Sequence, residues 1–93
     1  MNTLQFHRDN DEVVYTFHLD GTYNDRPRWR REDKNIVVVY IDHIGWCVLD
    51  EEENQVSWPF PETRDTDATM PPLGKWLSWK KGKSYVYTLS KVN

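Results

Sequence analysis

Two stretches of this chain combine cations with large rings at strand-like spacing. Arg26-Pro27-Arg28-Trp29-Arg30-Arg31 sets four arginines around one indole, and Lys75, Lys80, Lys81 and Lys83 flank Trp76 and Trp79. Guanidinium and ammonium groups attract phosphates and carboxylates. Indole faces stack on bases or sugars, or fill the centre of a protein interface. On an extended strand Arg28 and Arg30 point to one side and Trp29 to the other, because side chains alternate with period two. The candidate binding residues are therefore Arg28, Trp29, Arg30, Trp76 and Trp79. Against this stands a plainer assignment, in which the indoles are core and the cations offset acidic turns.

Other chemistry is thinly represented. Asp50, Glu51, Glu52 and Glu53 form an acidic run, followed by Glu62, Asp65 and Asp67. Asp65 and Asp67 have alternating ligand spacing, but the glycine and closing glutamate of a calcium loop are missing. His7, His18 and His43 fall in three separate segments. With one cysteine they make no zinc pattern; His7 and His18 could meet across a first hairpin. Cys47 sits between Trp46 and Val48 and is expected on the opposite face as an ordinary buried thiol. No glycine-rich phosphate loop, nucleophile elbow or metal signature occurs, so the expectation is a non-enzymatic protein with no cofactor and no metal.

The bulk properties bound the fold. The chain has 93 residues, five tryptophans, five tyrosines and three phenylalanines. That is one domain, residues 1–93, with a modest core in which each ring buries roughly 150–250 Å². The longest apolar run, Ile36 to Ile41, is far short of the ~20 residues of a membrane helix. The opening Met1–Arg8 lacks the pattern of a signal peptide, and a lone cysteine suits a reducing compartment, so a cytoplasmic location with no membrane is expected. The net charge of −3 conceals segregation: residues 1–25 carry −4, 26–34 carry +3, 35–69 carry −7 and 70–93 carry +5. An overall acidic chain argues against a dedicated nucleic-acid binder.

The elements that must position these residues read as strands throughout. Leu4 and Phe6 alternate with polar residues; Val13, Tyr15, Phe17 and Leu19 alternate with Val14, Thr16 and His18. Asp20-Gly21 has hairpin-turn chemistry. Ile36–Ile41 is apolar on both faces and reads as a central strand. Trp46–Leu49 returns antiparallel, and Asp50–Asn54 turns again. Val56, Trp58 and Phe60 line one face of the next strand, which Pro59 and Pro61 mark as an edge or bring to its end; a homodimer could form along Val56–Phe60. Residues 61–74 form one long loop, and strands around Trp76 and Tyr87 close the chain. The expected fold is all-β, a small antiparallel barrel or two-layer sandwich of about seven or eight short strands.

Gly21-Thr22-Tyr23-Asn24-x-Arg26-Pro27-x-Trp29, then Gly45-Trp46-x-Val48, Trp58 and Pro71-Pro72-x-Gly74-x-Trp76, resembles a group of small aromatic-rich modules. Those open on Gly-x-Tyr-Asn-Gly-Arg-Pro-x-Tyr and carry a later Pro-Pro-x-x-Gly-Trp. The resemblance spans residues 21–79, with Asp25 in place of the usual glycine and Trp29 in place of tyrosine. It implies a compact β-fold and no activity.

These readings converge on a binding module for a protein partner, with an aromatic surface framed by Arg and Lys. Nucleic-acid binding through residues 26–31 and 75–83 is the alternative, and glycan binding on an exposed Trp or Tyr is the next.

Overall fold

The computed structural model describes residues 2–63 and 69–92. Eight strands run β1 (Thr3–Arg8), β2 (Val14–Tyr23), β3 (Arg26–Arg31), β4 (Val37–Ile41), β5 (Gly45–Leu49), β6 (Gln55–Pro59), β7 (Gly74–Lys80) and β8 (Lys83–Lys91). A single 3-10 turn, Pro61–Thr63, follows β6. Each strand pairs antiparallel with its sequence neighbours, and β8 returns to β1 with Leu4 opposite Lys91 and Arg8 opposite Tyr87. The sheet thus closes into a barrel rather than splitting into a sandwich. Closure leaves no unpaired edge.

Alternation explains what fills the barrel. Leu4, Phe6, Phe17, Trp29, Val38, Trp46, Val48, Trp76, Tyr87 and Leu89 share one interior core. Phe6 meets Phe17, Trp76 and Tyr87 edge-to-face at 5.4, 5.2 and 6.2 Å, and Trp46 meets Trp29 and Tyr40 at 6.0 and 5.6 Å. Such edge contacts put the positive ring rim against a negative ring face, and each contributes roughly 0.5–1.5 kcal/mol beyond area burial. Ile36–Ile41 is apolar on both faces for a reason: Ile36 and Val38 face the interior core. Val37, Val39 and Ile41 join Cys47, Leu49 and Tyr23 in a second cluster on the other side of β4 and β5.

Four expectations are corrected. The β2–β3 turn is Asn24–Asp25, both left-handed at φ 52° and 64°, with Tyr23 opposite Arg26. This is the backbone of a type I′ turn. Asp20-Gly21 instead falls at an irregularity in β2 between Leu19 and Thr22, where Gly21 supplies φ 70°. Strand β6 ends at Pro59, as one of the two readings of its prolines expects, but it is not an edge: it pairs with both β5 and β7, so an edge-to-edge homodimer along Val56–Phe60 has no free strand to use. Nor do its apolar residues share a face. Register shifts between Gln55 and Ser57, so Val56 packs against the interior core, while Trp58 lies opposite Leu77 on the outside. His7 and His18 are also apart: His7 lies opposite Val14, and His18 contacts Glu32 at 2.8 Å.

The expected long loop over residues 61–74 is described in part. It begins with the 3-10 turn, and Pro71 and Pro72 lead into β7 at Gly74. Residues 64–68, including Asp65 and Asp67, lie outside the described residues.

Candidate binding site at the barrel mouth

The turns β1–β2, β3–β4, β5–β6 and β7–β8 gather at one end of the barrel. A cavity of about 100 Å³ opens there. Its walls are Phe6, Phe17, Ile36, Val48 and Val56, with the hydroxyls of Tyr15, Ser57, Ser78 and Tyr87, and its rim carries Arg31, Asp50 and Lys80. An eight-stranded barrel is just wide enough to be filled by side chains or to hold one small group. Here the small Ser57 and Ser78 face each other across β6 and β7, where larger rings fill the other levels. The Ser57 hydroxyl is occupied, donating to the Leu77 carbonyl at 2.9 Å.

A groove of about 330 Å³ adjoins the cavity and shares Tyr15, Ser78, Lys80 and Tyr87 with it. Arg8, Lys81, Lys83 and Tyr85 complete its lining. Two arginines are fixed in place. Arg8 lies over the Tyr85 ring at 4.9 Å and pairs with Asp11 at 2.7 Å; Arg31 lies over Tyr15 at 4.2 Å and pairs with Asp33 at 2.6 Å. These cation–π contacts orient the rings as well as the guanidinium groups. Burial, then the neighbouring Tyr15, push the Tyr87 phenol above its ordinary range, against the lowering bond from Arg8.

The turns around the mouth carry charge of two signs. Lys81 and Lys83 form no ion pair with any described residue and sit at the β7–β8 turn, where Lys81 and Gly82 have φ 53° and 77°. On the adjoining β5–β6 turn, Glu51, Glu52 and Glu53 are all exposed. Asp50 holds that turn by accepting from the Glu52 and Asn54 amides at 2.9 and 2.8 Å. Desolvation opposes its ionisation, but those amides, with the attraction of Lys80, hold its carboxyl below the usual range.

The residues proposed from sequence are divided by the fold. Trp29 and Trp76 are 0% exposed and belong to the interior core, so neither can touch a ligand at the surface. Trp76 donates from Nε1 to the Pro72 carbonyl at 2.8 Å, whereas Trp29 Nε1 has no hydrogen-bond partner among the described residues. Arg28 and Arg30 do share the outer face of β3, and both grip the Asp20 carboxylate at 3.0 Å; Arg28 also donates to the Asp20 carbonyl at 2.9 Å. Trp79 is 52% exposed on the outside of β7. In the closed ring β3 and β7 stand four strands apart, so Arg28 and Arg30 cannot share a surface with Trp79. Only the ends of the two basic blocks meet, as Arg31 and Lys80 at the mouth.

Sequence reasoning passed over Arg8, Tyr15, Tyr85 and Tyr87 as site residues, and held Arg31 only within the 26–31 segment of the nucleic-acid alternative. The available signal was phase: Tyr15 alternates in step with Phe17, and Tyr85 and Tyr87 with Leu89, so all three rings face inward. Cys47 is fully buried, and burial raises its thiol to about 11, against a lowering bond from Gln55. Among the described residues no group of three or more His, Cys, Asp or Glu side chains could hold a metal ion. No protein-family model matches the chain, and no curated protein or solved structure is similar to it.

Proposed function

We propose that this chain is a non-enzymatic binding module that engages a partner protein at the barrel mouth. The observation that carries the reading is the meeting of inward-facing tyrosines, an open, mostly apolar cavity and two lysines that form no ion pair among the described residues, all at one end of the barrel. Rigid rings and cations around a desolvated hollow are the usual makings of an interface hot spot, because they gain contact area at low entropic cost. Most of the remaining cations are already held: Arg28 and Arg30 by Asp20, Lys75 by Asp9 and Thr88.

Capture from a nuclease-treated lysate of the source, compared across three forms, tests this. Lys81→Glu with Lys83→Glu should abolish capture of a specific protein. Arg28→Ala with Arg30→Ala should leave it intact. The opposite pattern, or capture that vanishes with nuclease, overturns the reading and favours the outer face of β3 or a nucleic acid.

A second reading has one supporting observation. Trp79 is exposed beside a row formed by Trp58, Leu77 and Val86 in cross-strand register, a platform on which a sugar ring could stack. Weak, salt-insensitive glycan binding lost in Trp79→Ala would support it.

A further inference from the structure

We infer that the partner is recognised through a short extended segment in which one aliphatic side chain lies between an acidic and a basic residue. This rests on the reading of the mouth as the binding surface and adds the chemistry of what enters it.

Three features of the mouth specify such a segment. The first is the cavity. Its walls are mostly apolar, from Phe6, Phe17, Ile36, Val48 and Val56, and its volume is about 100 Å³. An engineered apolar cavity of about 150 Å³ accommodates benzene, so this smaller one suits a branched aliphatic tip and excludes an indole. The second is the sign of the two flanking turns. Lys81 and Lys83, with Lys80, offer positive charge on the β7–β8 turn; Glu51, Glu52 and Glu53 offer negative charge on the β5–β6 turn. A run of acidic residues laid across the mouth would meet the glutamates, and a run of basic residues the lysines. One charge of each sign satisfies both sides. A nucleic-acid strand, negative along its whole length, meets repulsion from the β5–β6 turn.

The third is spacing. The two turns cap neighbouring hairpins, so their centres are about two strand separations apart, ~10 Å. An extended chain advances roughly 3.3 Å per residue, so the acid and the base belong about three or four residues apart with the anchor between them. Arg8 and Arg31 contribute orientation rather than attraction, since Asp11 and Asp33 already neutralise them.

The test is a titration of the isotope-labelled full chain with acetylated peptides, followed by amide shifts. The reference peptide is Ser-Glu-Ser-Leu-Ser-Lys-Ser. Its comparators carry two glutamates, two lysines, or glycine in place of leucine, and an oligothymidine serves as the polyanion. The mixed-charge peptide is expected to shift Ser57, Ser78 and Tyr87 and to bind about five-fold more tightly than either like-charged form, the scale of one or two surface ion pairs. The glycine form is expected to lose the shifts. In the Lys81→Glu, Lys83→Glu chain the preference should pass to the two-lysine peptide. Equal binding of the three charge forms, with shifts that still need leucine, overturns the charge rule and leaves the mouth standing as the binding surface. Tighter binding of oligothymidine, or no mouth shift with any peptide, overturns the inference; the capture comparison above then decides the mouth reading independently.

Discussion

Trp29 and Trp76 offer a controlled comparison, because both indoles are fully buried in one core and differ in the fate of the ring nitrogen. Trp76 Nε1 donates to the Pro72 carbonyl at 2.8 Å, while Trp29 Nε1 has no hydrogen-bond partner among the described residues. Replacing each by phenylalanine removes similar ring volume and leaves a similar void. A typical hydrogen bond contributes about 0.5–1.5 kcal/mol net, and Trp76→Phe loses one. A buried donor left without a partner costs about 1–3 kcal/mol, and Trp29→Phe removes that cost. The two differences act in the same direction. Trp76→Phe should therefore be the more destabilising by about 2 kcal/mol, a separation of roughly 8–16 °C in Tm for a domain of this size. Urea unfolding with both variants at a common m-value gives the comparison directly. Equal losses, or a larger loss in Trp29→Phe, would refute the argument that hydrogen bonding separates these two positions.

Further outcomes follow from the turns and the titrating groups. Asp25 holds φ 64° in a type I′ turn, so Asp25→Gly should raise stability by about 0.5–1 kcal/mol, read as a higher urea midpoint; no gain would mean that Asp25 is not strained. The Cys47 thiol, raised to about 11 by burial, should resist alkylation in the folded chain at pH 8 and react at once in urea. Its folded value exceeds the unfolded one, so its stabilisation is present below pH ~9 and is lost as pH rises toward 11; Cys47→Ala should flatten that alkaline limb. Asp9, Asp11 and Asp33 are depressed mainly by bonds from Lys75, Arg8 and Arg31, and Asp50 is depressed by its turn amides against desolvation. Groups of this kind stabilise above their unfolded value, so Tm should hold level from pH 7 to about 5 and fall as the pH drops below about 4.

Much of the fold could be read from alternation alone. Tyr15 and Phe17, Trp46 and Val48, and Tyr85, Tyr87 and Leu89 follow period two, and each set faces the interior. What alternation cannot supply is closure. Pro59 and Pro61 suggested an edge or a strand end; the end is what forms, since Pro59 is the last residue of β6 and the strand pairs on both sides. Closure also decides which basic residues meet, since it sends β3 and β7 to opposite sides and brings together only Arg31 and Lys80. The Asp20-Gly21 signal was real in its physics, because Gly21 does adopt a left-handed backbone, but the chain spends it on an irregularity that turns Asp20 toward Arg28 and Arg30. Trp29 and Trp76 looked like binding residues because of their charged neighbours. In a strand those neighbours point the other way, and the same spacing that exposes Arg28 and Arg30 buries the indole between them.

The most direct test of the mouth as the binding surface is site-specific photocrosslinking. A photoreactive residue is placed at Lys83 on the rim, at Arg30 on the outside of β3 or at Trp79 on the outside of β7, in otherwise intact chains exposed to nuclease-treated lysate. The account predicts one specific protein adduct from position 83, absent from positions 30 and 79 and suppressed by Lys81→Glu. An adduct from position 30 or 79 with none from 83 would contradict it.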